Sequence, residues 1–122
     1  MPNDLFGPPF GVMPPPPANL KRIDATRQNT LVLVDGEPVL VRPPDISSKV
    51  GPDVWLWQIL NIGPGIAFVR WDGLGYAEPN GANSLQLTAG VGYSDVNAGL
   101  VTFACVGATQ VTFSVDNLPF QR

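Results

Sequence analysis

The most informative segment of this chain runs Val54-Trp-Leu-Trp-Gln-Ile-Leu-Asn-Ile62, Gly63-Pro64-Gly65, Ile66-Ala-Phe-Val-Arg-Trp71, Asp72-Gly73. Two apolar runs flank a Gly-Pro-Gly break. Such a break marks a chain reversal, so the segment predicts two antiparallel strands joined by a tight turn. All three tryptophans of the chain, Trp55, Trp57 and Trp71, lie here. Side chains alternate between the two faces of a strand. The first strand therefore places Trp55, Trp57 and Ile59 on one face, and Val54, Leu56, Leu60 and Ile62 on the other. A strand apolar on both faces is not half-solvated. One face meets the core, and the other needs a second sheet, a covering arm or a partner subunit.

The 122 residues suit one domain with a modest core. Prolines are unevenly spread: seven of the fourteen fall within the first seventeen residues. This divides the chain into a Pro-rich arm, residues 1–28, and a body, residues 29–122. The arm segment Leu5 to Pro17 is unsuited to helix or central strand, because proline lacks the amide donor and fixes φ. Pro14 to Pro17 predict polyproline II. The arm also carries Leu5, Phe6, Phe10, Val12, Met13 and Leu20. Apolar side chains on an extended backbone call for a groove: a second subunit is the expected one, with the chain's own domain and an SH3-type partner as the alternatives.

Hydrophobic alternation and turn residues organise the body. Thr30–Val34 and Val39–Arg42 read as a hairpin closed by Asp35-Gly36. Residues 45–53 are a loop, and residues 76–84 a long polar surface loop. Leu85 to Thr88 alternates, with both leucines inward, and Ala89-Gly90 turns the chain. Val91 to Ser94 is a short strand with Tyr93 half-buried, and residues 95–99 turn again. Leu100 to Val106 is apolar enough for a central strand. Gln110 to Asp116 alternates, with Val111, Phe113 and Val115 inward. About seven or eight short strands without an amphipathic helix predict an all-β fold: a small antiparallel β-sandwich or jelly-roll-like body behind an extended arm.

The chemistry needed for an enzyme is thin. The chain has no histidine, which excludes Ser-His and Cys-His nucleophile pairs. It also removes the commonest transition-metal ligand. Cys105, the single cysteine, sits in an apolar run and reads as a small buried hydrophobe. No intrachain disulfide is possible. Asp72 and Glu78 are the one carboxylate pair worth weighing, and both read as turn or surface residues. The glycines at 63–65 and 73–75 precede no helix, so no phosphate cradle is expected. No cofactor and no metal are expected.

The net charge of −3 argues against nucleic acid. No run of about twenty apolar residues predicts a membrane span, and Met1-Pro-Asn-Asp-Leu5 lacks the basic region of a secretion signal. The arm carries three basic and two acidic residues, the body four basic and eight acidic. That asymmetry favours contact between neighbouring copies. Arg70, in the middle of an apolar run, reads either as an end-of-strand residue with its head in water or as an interface anchor.

Three segments together carry a resemblance: Ile59 to Gly73, Ser84 to Gly90, and Val101 to Phe113. Asn61-Ile-Gly63, Val69-Arg-Trp-Asp-Gly73 and Leu87-Thr-Ala-Gly90 resemble the turn and strand-end pattern of small β-sandwich proteins of tailed bacteriophage particles. The likeness covers about residues 54–116. It implies a non-enzymatic virion component: a capsid decoration (cement) protein, or a neck or tail accessory protein. It implies virion localisation after assembly in the host cytoplasm, a homo-oligomer with a trimer leading, and the major capsid protein or other virion subunits as partners. The expected partner-binding residues are Leu5, Phe6, Phe10, Met13 and Leu20 in the arm, plus whichever of Trp55, Trp57, Arg70 and Trp71 are exposed. The competing reading is a carbohydrate- or receptor-binding sandwich, with Trp71, Tyr76 and the Asn80–Asn83 loop as its platform.

Overall fold

The computed structural model describes residues 15–44, 55–71, 75–97 and 100–117. Nine strands run in chain order: β1 (Lys21–Asp24), β2 (Gln28–Leu33), β3 (Val39–Arg42), β4 (Trp55–Asn61), β5 (Ile66–Arg70), β6 (Leu85–Leu87), β7 (Gly92–Asn97), β8 (Val101–Val106) and β9 (Thr109–Asn117). They form a four-stranded sheet, ordered β2-β9-β4-β7, and a five-stranded sheet, ordered β1-β3-β8-β5-β6. Every pairing is antiparallel except β1 with β3. The two orders match rank for rank: β2, β9, β4 and β7 face β3, β8, β5 and β6. The connections β2–β3, β4–β5, β6–β7 and β8–β9 each cross a corner into the same rank of the opposite sheet. That is the connectivity of a jelly roll.

This connectivity replaces both expected hairpins. The reversal at Asp35-Gly36 forms, with the Glu37 amide donating to the Val34 carbonyl at 3.1 Å and Gly36 at φ +74°. Its strands nevertheless part into different sheets. The same holds at Gly63-Pro64-Gly65: β4 lies in one sheet and β5 in the other. Crossing lets Trp55, Trp57 and Ile59 from β4 meet Ala67 and Val69 from β5 in one core. A hairpin would have turned both strands to the same layer.

Within that core, Trp57 stacks on Phe113 with centroids 5.9 Å apart, and Phe113 meets Phe103 at 5.5 Å. Val111, Phe113 and Val115 of β9 point inward as expected, and β8 is buried at five of its six positions. The arm is shorter than expected at its inner end. Residues 21–24 pair with β3, and Ala25 is in the core. Residues 95–97 continue β7 instead of turning. Leu87 is buried while Leu85 is exposed, because β6 spans only three residues at the sheet edge.

The 75–84 segment is not wholly a surface loop. Ala77 is buried against Phe68 and Ala104, with Ile66 beside them, as a second small core. Its amide donates to Thr102 Oγ1 at 2.7 Å. Around Phe68 and Ala104 the outer face of the five-stranded sheet is thus covered by its own chain.

Candidate interaction surface

Four connections, β2–β3, β4–β5, β6–β7 and β8–β9, gather at one end of the sandwich. A buried asparagine, Asn61, ties three of them together. Its Nδ2 donates to the carbonyls of Gly65 at 2.9 Å and Leu87 at 2.8 Å. Its Oδ1 accepts from Thr109 Oγ1 at 2.6 Å and from the Gly63 amide at 3.2 Å. Its backbone carbonyl accepts from Gly90 at 2.7 Å. The fourth connection joins through Asp35, whose Oδ1 accepts from the Gly107 amide at 3.0 Å.

Two glycines let these corners touch. A Cβ on Gly63 would collide with the Gln110 amide nitrogen and Thr109, and one on Gly65 with the Gly107 carbonyl. Their role is close approach between corners, not the hairpin turn expected of them.

Around this polar knot each corner exposes one aliphatic side chain: Val34, Ile62, Val91 and Val106, all between 41% and 49% exposed. Val32, on the adjoining strand, is 60% exposed. The arm enters at the same end. Asn19 Nδ2 donates to the Gly36 carbonyl, and the Lys21 amide to Pro38 at 3.0 Å.

The expected partner residues are distributed differently. Leu5, Phe6, Phe10 and Met13 lie outside the described residues, and Leu20 is half-buried. Trp55 and Trp57 are 3% and 0% exposed and belong to the core, so neither is an exposed contact. Among the described residues their buried indole Nε1 atoms have no hydrogen-bond partner, so their side chains are held there by packing. Arg70 is half-buried, with Gly75 so near that a Cβ there would stand 2.6 Å from its guanidinium. Trp71 packs on the core and stacks on Tyr93, centroids 5.0 Å apart and planes at 14°. Both side chains are half-buried. Alternation along β4 separated Leu60 and Ile62 from the tryptophans, but which of the two faces is outward was decided by the packing of the sheets. Nothing local foretold that the exposed aliphatics would share the corner end.

Titratable groups add little chemistry. Burial raises the Cys105 thiol pKa, with the charge of Asp35 adding to it. The charge of Asp95 raises Tyr93, helped by burial and by the hydrogen bond of 3.3 Å between them. Glu78 is exposed, and Asp72 lies outside the described residues. Among the described residues no three His, Cys, Asp or Glu side chains group to hold a metal, and no helix is long and apolar enough to cross a membrane.

The fold and surface define a small all-β sandwich of jelly-roll connectivity. No protein-family model matches the chain, and no curated protein matches it. A similar solved structure is the pre-peptidase C-terminal domain of collagenase from Bacillus anthracis, at 12% identity and a TM-score of 0.37. The match covers 84% of this chain and 100% of that one. At that level it bears on no functional argument.

Proposed function

We propose that this protein is a non-enzymatic structural subunit of a tailed-phage particle, acting as a decoration protein on the shell. The observation that carries the reading is the jelly-roll sandwich with an aliphatic side chain exposed at each of its four gathered corners. Jelly rolls serve viral capsid and lectin domains. Exposed aliphatics grouped on one end of a small body favour a protein partner over solvent. Asn19 and Lys21 tie the inner end of the arm to that same end of the body, and the proposal counts the apolar Leu5, Phe6, Phe10 and Met13 of the arm sequence among the contacts to the partner. Proline stiffening reduces the entropy lost when such an arm docks. The proposal includes a homo-oligomer seated on capsid subunits and virion localisation.

Mass spectrometry of purified particles, counting this chain against the major capsid protein, tests the reading. Hundreds of copies support shell decoration. A dozen or fewer move the protein to the neck or tail. Absence from particles overturns it.

A further inference from the structure

The outer face of the four-stranded sheet presents a second, chemically distinct surface, away from the corners. The strand registers align Gln28, Ser114, Gln58 and Ser94 in one row across β2, β9, β4 and β7. The next row is Thr30, Thr112, Leu60 and Gly92. These rows line an open trough of about 890 Å³. With neighbouring strands about 4.8 Å apart, the row from β2 to β7 spans about 14 Å.

We infer that this trough binds a neutral oligosaccharide. Among the described residues most of its side-chain hydrogen-bonding capacity is unspent within the protein. Gln58 Oε1 accepts from Ser114 Oγ at 3.3 Å, and no other hydrogen bond engages the Gln58 side chain among the described residues. The Gln28 amide and the hydroxyls of Thr30, Thr112 and Ser94 have no protein partner among the described residues either. A carboxamide offers a donor and an acceptor side by side, the pair that two adjacent sugar hydroxyls require. Two such amides stand two strands apart, with hydroxyls between and beyond them. Leu60 supplies an apolar ledge for the C–H face of a sugar ring. Gly92, without a side chain, leaves the ledge open at the β7 end.

Charge selects the class. None of the described side chains lining the trough is charged. The nearest ion pair, Arg27 with Asp116 at 3.0 Å, is paired within itself beyond the margin. An anionic polymer finds no counter-charge here, on a chain of net charge −3. The exposed aliphatics Val32 and Val96 lie on this face in the flanking rows. Within the trough Leu60 alone is a large exposed aliphatic, so the trough itself offers a protein partner little of the apolar centre that stable interfaces bury. Neutral, hydroxyl-rich ligands match what remains. The inference stands on this sheet face alone and does not need the virion reading.

The test is a titration of the isotope-labelled full chain with cellohexaose, maltohexaose, xylohexaose and chitohexaose, beside hexagalacturonate, following backbone amide shifts. At least one neutral hexasaccharide gives saturable shifts centred on residues 28–30, 58–60, 92–94 and 112–114. Gln58→Ala weakens that binding by about fivefold or more. Gln110→Ala, on the same face outside the trough, leaves it unchanged. Unaltered shifts in the core strands show that each variant is folded. The inference is overturned by silence from all four neutral sugars, by shifts centred elsewhere, by hexagalacturonate binding equally well, or by an unaffected Gln58→Ala.

Discussion

Thr109 Oγ1 donates to Asn61 Oδ1 at 2.6 Å, with both side chains buried. This bond joins the start of β9 to the end of β4, forty-eight residues apart. It sits at the point where the chain changes sheets. Asn61 spends both amide hydrogens and its carbonyl oxygen on three different corners, so its removal strands several buried groups at once. An unpaired buried polar group costs about 1–3 kcal/mol. Asn61→Ala is therefore expected to lose about 2–4 kcal/mol in denaturant unfolding. Thr109→Val loses about 1–2 kcal/mol. The double variant loses less than the sum, because the two share one bond. Strict additivity would show that the bond contributes nothing.

The corner glycines separate into two kinds. Gly65 has no room for a Cβ, since the backbone of Gly107 and Ala108 occupies the space. Gly65→Ala has to push two corners apart and is expected to cost about 2 kcal/mol or more. Gly36 has φ +74° and nothing within 4 Å of an added Cβ. Asparagine tolerates that backbone region, so Gly36→Asn is expected to cost under about 1 kcal/mol. Thermal unfolding of the two variants side by side gives the comparison. Equal losses would mean that corner contact does not constrain Gly65.

Ile62 and Val91 flank Asn61 and point into solvent at 49% and 41% exposure. Exposed substitutions away from special features change stability by about 0.5 kcal/mol or less. Ile62→Ser with Val91→Ser is therefore expected to leave the melting temperature nearly unchanged while lowering occupancy on purified particles. Deleting residues 1–14 is expected to act in the same direction and keep the folded body, since the described strands begin at Lys21. Full occupancy by both variants would remove the corner end as the contact.

Cys105 is 1% exposed, and its thiol pKa lies above the ordinary value of 9.0 because burial disfavours the thiolate. A raised pKa in the folded state means that the folded protein holds this proton more tightly than the unfolded chain. The stability linked to it is complete below the ordinary thiol pKa and is lost as pH rises through the raised one. Between about pH 7 and about pH 10 the protein is expected to lose more unfolding free energy than its Cys105→Ala variant does. Urea titrations at the two pH values measure the difference. Thiol reagents are expected to label Cys105 only as the chain unfolds.

The grouping of Trp55, Trp57 and Ile59 on one face of β4 was readable from alternation, though not that this face is the core one, and so were the inward positions of Val111, Phe113 and Val115 on β9. The reversals at Asp35-Gly36, Gly63 to Gly65 and Ala89-Gly90 were readable from turn chemistry. Alternation and turn preference are local properties: they depend on a residue and its immediate neighbours. The all-β class follows from them, and so does the inward or outward sense of most strand positions. Sheet membership does not. A turn states that the chain reverses, and the same reversal serves a hairpin or a corner between layers. β2 and β3 part because β2 pairs with β9 and β3 with β8, and those partners lie sixty or more residues away. The burial of Trp55 and Trp57 beneath the opposite sheet, the knot at Asn61, the meeting of four exposed aliphatics at one end and the polar row across four strands all rest on such distant pairings. They arise when the apolar faces of separate segments close on one another, an energy that no short window of residues contains.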